Sequence, residues 1–217
     1  MVKKMKIVII IPTFIPEFIG GTQIMTLGMA EELASRGHDV YIITASYSDK
    51  TTISNIKGIQ IIKEKVDLNF PASINPIFLM RLLIRINRIQ PDVIHVQGVL
   101  YGFNLIAILI KKLIRAPLLI CPQGLDINDE YPLKNIILKL TFDNSDAIIS
   151  LTDDMKIKIR EYTGKEIKII PNGINPNRIK KYSKEQARYE LKLKNKSNIL
   201  LFVGRLEPEK SIDSIIY

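Results

Sequence analysis

The sequence predicts an α/β fold: a Rossmann-like, doubly wound parallel sheet with helices on both faces, followed by a stub of a second domain. Three observations predict it. Short apolar runs rich in Ile and Val recur along the first 170 residues, without the in-out alternation of a half-exposed strand. Stretches with helical spacing of apolar residues separate them. Beyond residue 175 the character changes to polar and basic, and a single apolar run then follows.

The elements follow in order. Lys6 to Ile11 is a continuous apolar run closed by Pro12, and predicts a strand buried on both faces. After a loop, Ile24, Leu27, Ala30 and Leu33 set a helix over Thr22–Ser35, with Gly37 ending it. Asp39–Thr44 is the next strand, which completes a βαβ unit and implies a right-handed crossover. Gly58–Ile62 is a weaker strand, and Pro76–Gln90 a basic amphipathic helix. Strands are expected at Asp92–Val96, Pro117–Cys121, Asp146–Ser150 and Lys165–Ile170. Helices are expected at Phe103–Arg115, Leu133–Phe142 and Asp153–Tyr162. The predicted domains are 1–174, a linker over 175–197 with a helix near Ser183–Leu191, and 198–217 as an incomplete start of another domain. That last piece is read as a buried strand at Ile199–Val203, a glycine turn and a helix begun by Pro208.

Composition narrows the function. With 217 residues and 47% hydrophobic content, the chain can bury a real core. A net charge of +9 favours anionic partners such as nucleotide phosphates or an anionic membrane surface. The basic residues lack aromatic interleaving, which argues against nucleic acid. The one cysteine, Cys121, ends an apolar run and reads as a buried hydrophobe in a reducing compartment. The first residues do not read as a signal peptide, and the longest apolar stretch is interrupted by Lys111, Lys112 and Arg115. These features predict a cytoplasmic protein, with a peripheral seat at the inner face of the membrane as the alternative.

In an open parallel sheet, ligands sit beyond the carboxyl ends of the strands. Gly20 and Gly21 lie between the first strand and helix, where backbone can approach a ligand and helix N–H groups can meet an anion. They do not make a dinucleotide fingerprint, because seven residues separate them from Pro12. Gln97 and Gly98 end one strand, while His95, inside the apolar run, reads as a core histidine. Gln123 and Asp126 follow the next strand, and Asn172 sits in a turn after the last. Arg205 and Lys210 flank a helix start. Two cations there oppose the helix dipole unless an anion lies between them, which points to a phosphate site.

Together these clusters resemble the retaining GT-B glycosyltransferases, in particular glycosyltransferase family 4. The matching stretches are Gly20-Gly21, Ala30–Val40, Pro91–His95, Ile170–Asn175 and Phe202–Lys210, in that order. The resemblance implies a nucleotide-sugar donor, a saccharide or lipid-linked acceptor, and two Rossmann-like domains with the acceptor on the first. It implies that Arg205 and Lys210 clamp the donor diphosphate with Gly20 and Gly21 close by, and that no metal or cofactor is needed. It puts Gln97 and Asp126 in the cleft with Asn172. Gln123 stands where the family places a catalytic histidine, and Gln97 stands where the family has a second one. A glutamine bonds a sugar hydroxyl but cannot act as a base. Ser211 replaces a usual glycine, and the family's second carboxylate motif has no counterpart here. The resemblance therefore implies a truncated chain, inactive or weak alone.

Two alternatives stand beside it. One is a non-catalytic half-enzyme or binding module that needs a partner chain carrying the donor half, or that docks on an anionic membrane through Ile77–Arg88 and Lys111–Arg115. Against docking, Ile77–Arg88 is expected to be a core-facing helix with a basic solvated face. The other, a nucleotide-sugar epimerase, should carry acid/base carboxylates and histidines that the sequence does not present.

Overall fold

The computed structural model describes residues 3–66, 75–99, 101–124, 133–176, 179–193, 198–204, 206 and 211–216. They form two compact units, Met1–Ile174 and Asn175–Tyr217.

The first unit is built on one eight-stranded sheet. Its strands are β1 (Lys6–Ile10), β2 (Asp39–Ser46), β3 (Thr52–Ile56), β4 (Ile59–Lys65), β5 (Val93–Gln97), β6 (Leu118–Cys121), β7 (Ala147–Ser150) and β8 (Ile167–Ile169). The order is β3-β4-β2-β1-β5-β6-β7-β8, and every pairing is parallel except β3 with β4. The chain leaves β1 toward β2 and later returns to β5 on the other side of β1. The order therefore reverses between β1 and β5, and a crevice opens there at the carboxyl edge.

Helices α1 (Gly21–Ser35), α2 (Pro76–Ile89), α3 (Tyr101–Ile114), α4 (Lys134–Asn144) and α5 (Asp153–Arg160) cover the sheet. Strand alternation divides the core in two. Ile7, Ile9, Ile11, Val40 and Ile42 pack with Ala30 and Leu27 of α1. Val8, Ile10, Ile94, Val96, Leu118 and Ile120 pack with residues of α2 to α5 on the opposite face. Phe78 of α2 meets Phe103 of α3 edge-on at 5.5 Å between ring centroids. The right-handed crossover rule accounts for this split, since only α1 connects strands running in the β1-to-β2 direction.

The predicted core strands and helices form close to their expected bounds. β3 was not expected. It pairs antiparallel with β4 through a two-residue turn in which Lys57 and Gly58 both have positive φ, the backbone of a tight hairpin. All five of its residues are exposed, so no buried apolar face marks it in the sequence.

The second unit contains α6 (Lys184–Glu190) and α7 (Asp213–Ile216). Ser183 and Gln186 cap α6 reciprocally, each side chain bonding the other's backbone. The expected strand at Ile199–Val203 is corrected: residues 199–203 form no ladder within this unit, and Leu200, Leu201 and Val203 are exposed rather than buried. A strand exists only where a neighbour takes up its N–H and C=O groups, and the described residues of this unit offer none. Pro208, expected to begin a helix, lies outside the described residues.

Candidate active site

The switch point is lined by α1 and by the ends of β5 and β6. β5 sends Ile94 and Val96 into the α2–α4 layer, so His95 and Gln97 point to the α1 side. Pairing of Gln97 with Cys121 sets β6 in register, which brings Gln123 next to Gln97 just past the sheet. Gln-Gly occurs at both strand ends, and Gly98 (φ 96) and Gly124 (φ 113) both take left-handed backbone that disfavours any other residue. The Gly98 N–H donates to the Cys121 carbonyl at 2.8 Å, which ties the two turns together.

The side chains form a relay. Gln123 Nε2 donates to Gln97 Oε1 at 2.5 Å. Gln97 Nε2 lies 3.1 Å from His95 Nε2 and 3.9 Å from the Met29 sulfur of α1. An amide nitrogen only donates, so His95 Nε2 accepts and the ring proton sits on Nδ1. Burial pushes His95 down to about 4, so the ring is neutral at physiological pH and can accept. With its nitrogen also near the Cys121 carbonyl and sulfur (3.4 and 3.5 Å), the Gln123 amide turns its nitrogen inward. Cys121 is buried, as its apolar context implies.

The glycines sit at the start of α1. Gly20 is the N-cap, no side chain caps the helix, and its first turn carries no acidic residue. The N–H groups of that turn are therefore open to an outside anion. The preceding loop is pinned by buried Phe14, by Gln23 Nε2 bonding Thr13 Oγ1 at 3.0 Å, and by a close Lys63–Glu17 ion pair that holds the Glu17 carboxyl below its usual range. A Cβ on Gly20 would meet Gln23 Oε1 at 2.8 Å, whereas one on Gly21 would meet nothing within 4 Å. Packing does not explain Gly21, but close approach of a ligand would.

The structure brings Gln97 and Gln123 together and sets Gly20 and Gly21 on the helix that Gln97 touches. Met29 is eight residues past Gly21, so the glycines stand roughly 12 Å farther along the axis of α1. Asn172 is not part of this cluster. It follows β8, three strand positions from β5, or roughly 14 Å by strand spacing, and it is exposed. Asp126, Arg205 and Lys210 lie outside the described residues. Sequence reasoning left out His95 and Gln23. The shared parity of His95 and Gln97 on one strand was the available signal, masked by the apolar run around the histidine.

A GT-B domain, doubly wound with its polar cluster at the switch point, is the class that this geometry defines. The sequence model of Glycosyltransferase Family 4 matches residues 19–178, and the chain belongs to that family. An uncharacterized glycosyltransferase of Methanocaldococcus jannaschii is 25% identical over 236 residues, covering 98% of this chain and 58% of the relative. Sucrose-phosphate synthase of Thermosynechococcus elongatus shares the fold with a TM-score of 0.76 at 17% identity, over 98% of this chain and 59% of that one. Anabaena HepE, solved with UDP-glucose, gives a TM-score of 0.58 at 14% identity, over 87% of this chain and 50% of that one. The chain thus spans under three fifths of the length of these relatives.

Proposed function

We propose that residues 1–174 are the acceptor-side domain of an enzyme that transfers a sugar, with retention of configuration, from a nucleoside-diphosphate sugar to a saccharide or lipid-linked acceptor. In this reading 175–197 is a linker and 198–217 begins the donor-side domain. The observation that carries it is the presence of an uncapped start of α1 and of the bonded pair Gln97–Gln123 at the same carboxyl edge of the sheet, in a chain of this family. That HepE was solved with UDP-glucose supports a diphosphate-sugar donor.

Chemically, the leaving diphosphate gathers negative charge as the glycosidic bond to it breaks. The N–H groups at the start of α1 face that charge without needing to reorganise. Arg205 and Lys210 are the cations that the family resemblance assigns to this charge, and a cation pair can neutralise it without a divalent ion. Gln123 orients a sugar hydroxyl and takes no proton. Asp126 lines the acceptor end, and Asn172 has no role in this reading. In this reading the donor-side domain reads the donor base and sugar.

Calorimetric titration with a panel of nucleoside diphosphates tests the proposal. Saturable binding to the chain, lost in Arg205→Ala/Lys210→Ala, is expected. A folded chain that binds none of them, or binds equally well after the double substitution, contradicts the clamp.

A further inference from the structure

The layer of α2, α3 and α4 is apolar toward the sheet and carries exposed aliphatic side chains on its outward side as well. α2 turns Phe78, Leu82 and Ile86 to the sheet, as its amphipathic pattern predicts. Its outward face is not simply the expected basic, solvated one, because Met80 and Ile84 lie there. α3 packs between α2 and α4, and Leu109 and Leu113 of α3 and Ile136 and Leu140 of α4 are exposed. These six aliphatic side chains are 45–60% exposed. Scattered exposed leucines need no explanation, but exposed aliphatics on each of three neighbouring helices do.

The charges on the same faces have one sign. α2 carries Arg81, Arg85 and Arg88, and α3 carries Lys111 and Lys112, with no carboxylate on either helix. On α4 the one acid, Asp143, is paired with Lys139. Arg85 and Lys111 lean inward to Glu64 and Asp146. Arg81, Arg88 and Lys112 make no ion pair among the described residues and stand in the row with the exposed aliphatics.

We infer that this layer is a docking surface for an anionic lipid bilayer. The facing partner must accept bulky aliphatic side chains and also supply negative charge around them. Acyl chains beneath anionic headgroups supply both. A second copy of the chain fits poorly, because a two-fold interface would set Arg and Lys against Arg and Lys without a carboxylate to pair them. A protein hot spot would more often present Trp, Tyr or Phe, and this face shows only Leu, Ile and Met. No helix among the described residues is long and apolar enough to cross a membrane, so the contact is peripheral. This inference does not rest on the proposed sugar transfer.

The test is flotation of the full chain with vesicles of phosphatidylcholine alone or with one third phosphatidylglycerol, at low and physiological salt. Binding only to the anionic vesicles, weakened by salt, is expected. Arg81→Gln/Arg88→Gln/Lys112→Gln should lower partitioning on the order of a hundred-fold at low salt, at about one kcal/mol per cation. Met80→Gln/Leu109→Gln/Ile136→Gln should lower it at least tenfold, and a swap of Ile24→Gln on α1 should not change it. All these residues are exposed, and circular dichroism checks that each variant folds. No binding by the folded chain, or binding unmoved by either triple variant, overturns the inference. So does a dimer in sedimentation that only the aliphatic variant dissociates, which would assign the face to a second copy.

Discussion

The two faces of this one sheet are built from the same strands and do opposite things. On β5, Ile94 and Val96 enter a dry core beneath α2 and α3, while His95 and Gln97 enter the layer under α1 and join a hydrogen-bonded relay to Gln123. A two-residue period is enough to separate packing from chemistry. The packed face is mostly apolar, with Glu64, Asn104 and Thr141 as isolated buried polar groups among its elements, whereas on the other face His95 and Gln97 form a connected row with Gln123, each oriented by the next.

The largest effect should come from breaking the packed face. Ile94→Ala and Phe142→Ala should each lose about 3–5 kcal/mol in urea unfolding, because both side chains are fully buried and leave cavities. Gln123→Ala should lose less than about 1 kcal/mol, since the residue is only half-buried and lies beyond the sheet. Similar losses for all three would erase the distinction between core and site.

His95 sharpens the comparison through pH. Its folded value of about 4 lies below the ordinary histidine value of 6.5, so between these values the unfolded chain takes up a proton that the folded chain refuses. Stability should therefore be full above about pH 6.5 and should fall by up to about 3 kcal/mol as the pH drops to 4. His95→Gln removes that term, so denaturation followed from pH 7 to 4 should show a shallower slope, by up to one proton. An unchanged slope would mean that the ring is already solvated. The nitrogen-15 shifts of His95 in the native chain should show a bare Nε2 and a protonated Nδ1.

Much of the fold was legible because periodicity and burial coincide. Lys6–Ile11 and Asp92–Val96 read as buried strands since, past the exposed Lys6 and Asp92 at their starts, their residues are apolar apart from His95, and Gly37 (φ 90) ends α1 as its position implies. β3 escaped notice because an exposed edge strand buries nothing that a pattern could reveal. Ile199–Val203 shows the converse: an apolar run states a preference for burial, but the sequence offers it no sheet of its own to join, and residues 199–203 accordingly form no ladder among the described residues. In the site, Gln97 and Gln123 were readable from their places at strand ends. The role of His95 was not, because an apolar neighbourhood looks the same around a silent histidine and one that orients an amide.

Smaller effects concern the start of α1. Gly21→Ala meets no neighbour and should leave stability unchanged or raise it by up to about 1 kcal/mol, while weakening nucleoside-diphosphate binding in the same titration. Glu17→Gln removes the loop's ion pair with Lys63 and should cost less than about 1 kcal/mol, because Glu17 is largely exposed. The pair lowers the Glu17 value below 4.5, so its contribution is complete above the ordinary glutamate range and fades as the pH falls through the lowered value. The difference between wild type and Glu17→Gln should therefore shrink as the pH falls below the ordinary glutamate range.

The most direct measurement is a titration of uridine diphosphate into the nitrogen-15-labelled chain, followed at the backbone amides of Gly21, Thr22 and Gln23 and the side-chain amides of Gln97 and Gln123. The account predicts saturable shifts at these groups, weakened by Gly21→Ala, with the amides of β7 and β8 unmoved. Shifts confined to other strands, or none from a well-folded chain at millimolar ligand, would contradict a diphosphate site at the β1–β5 switch point.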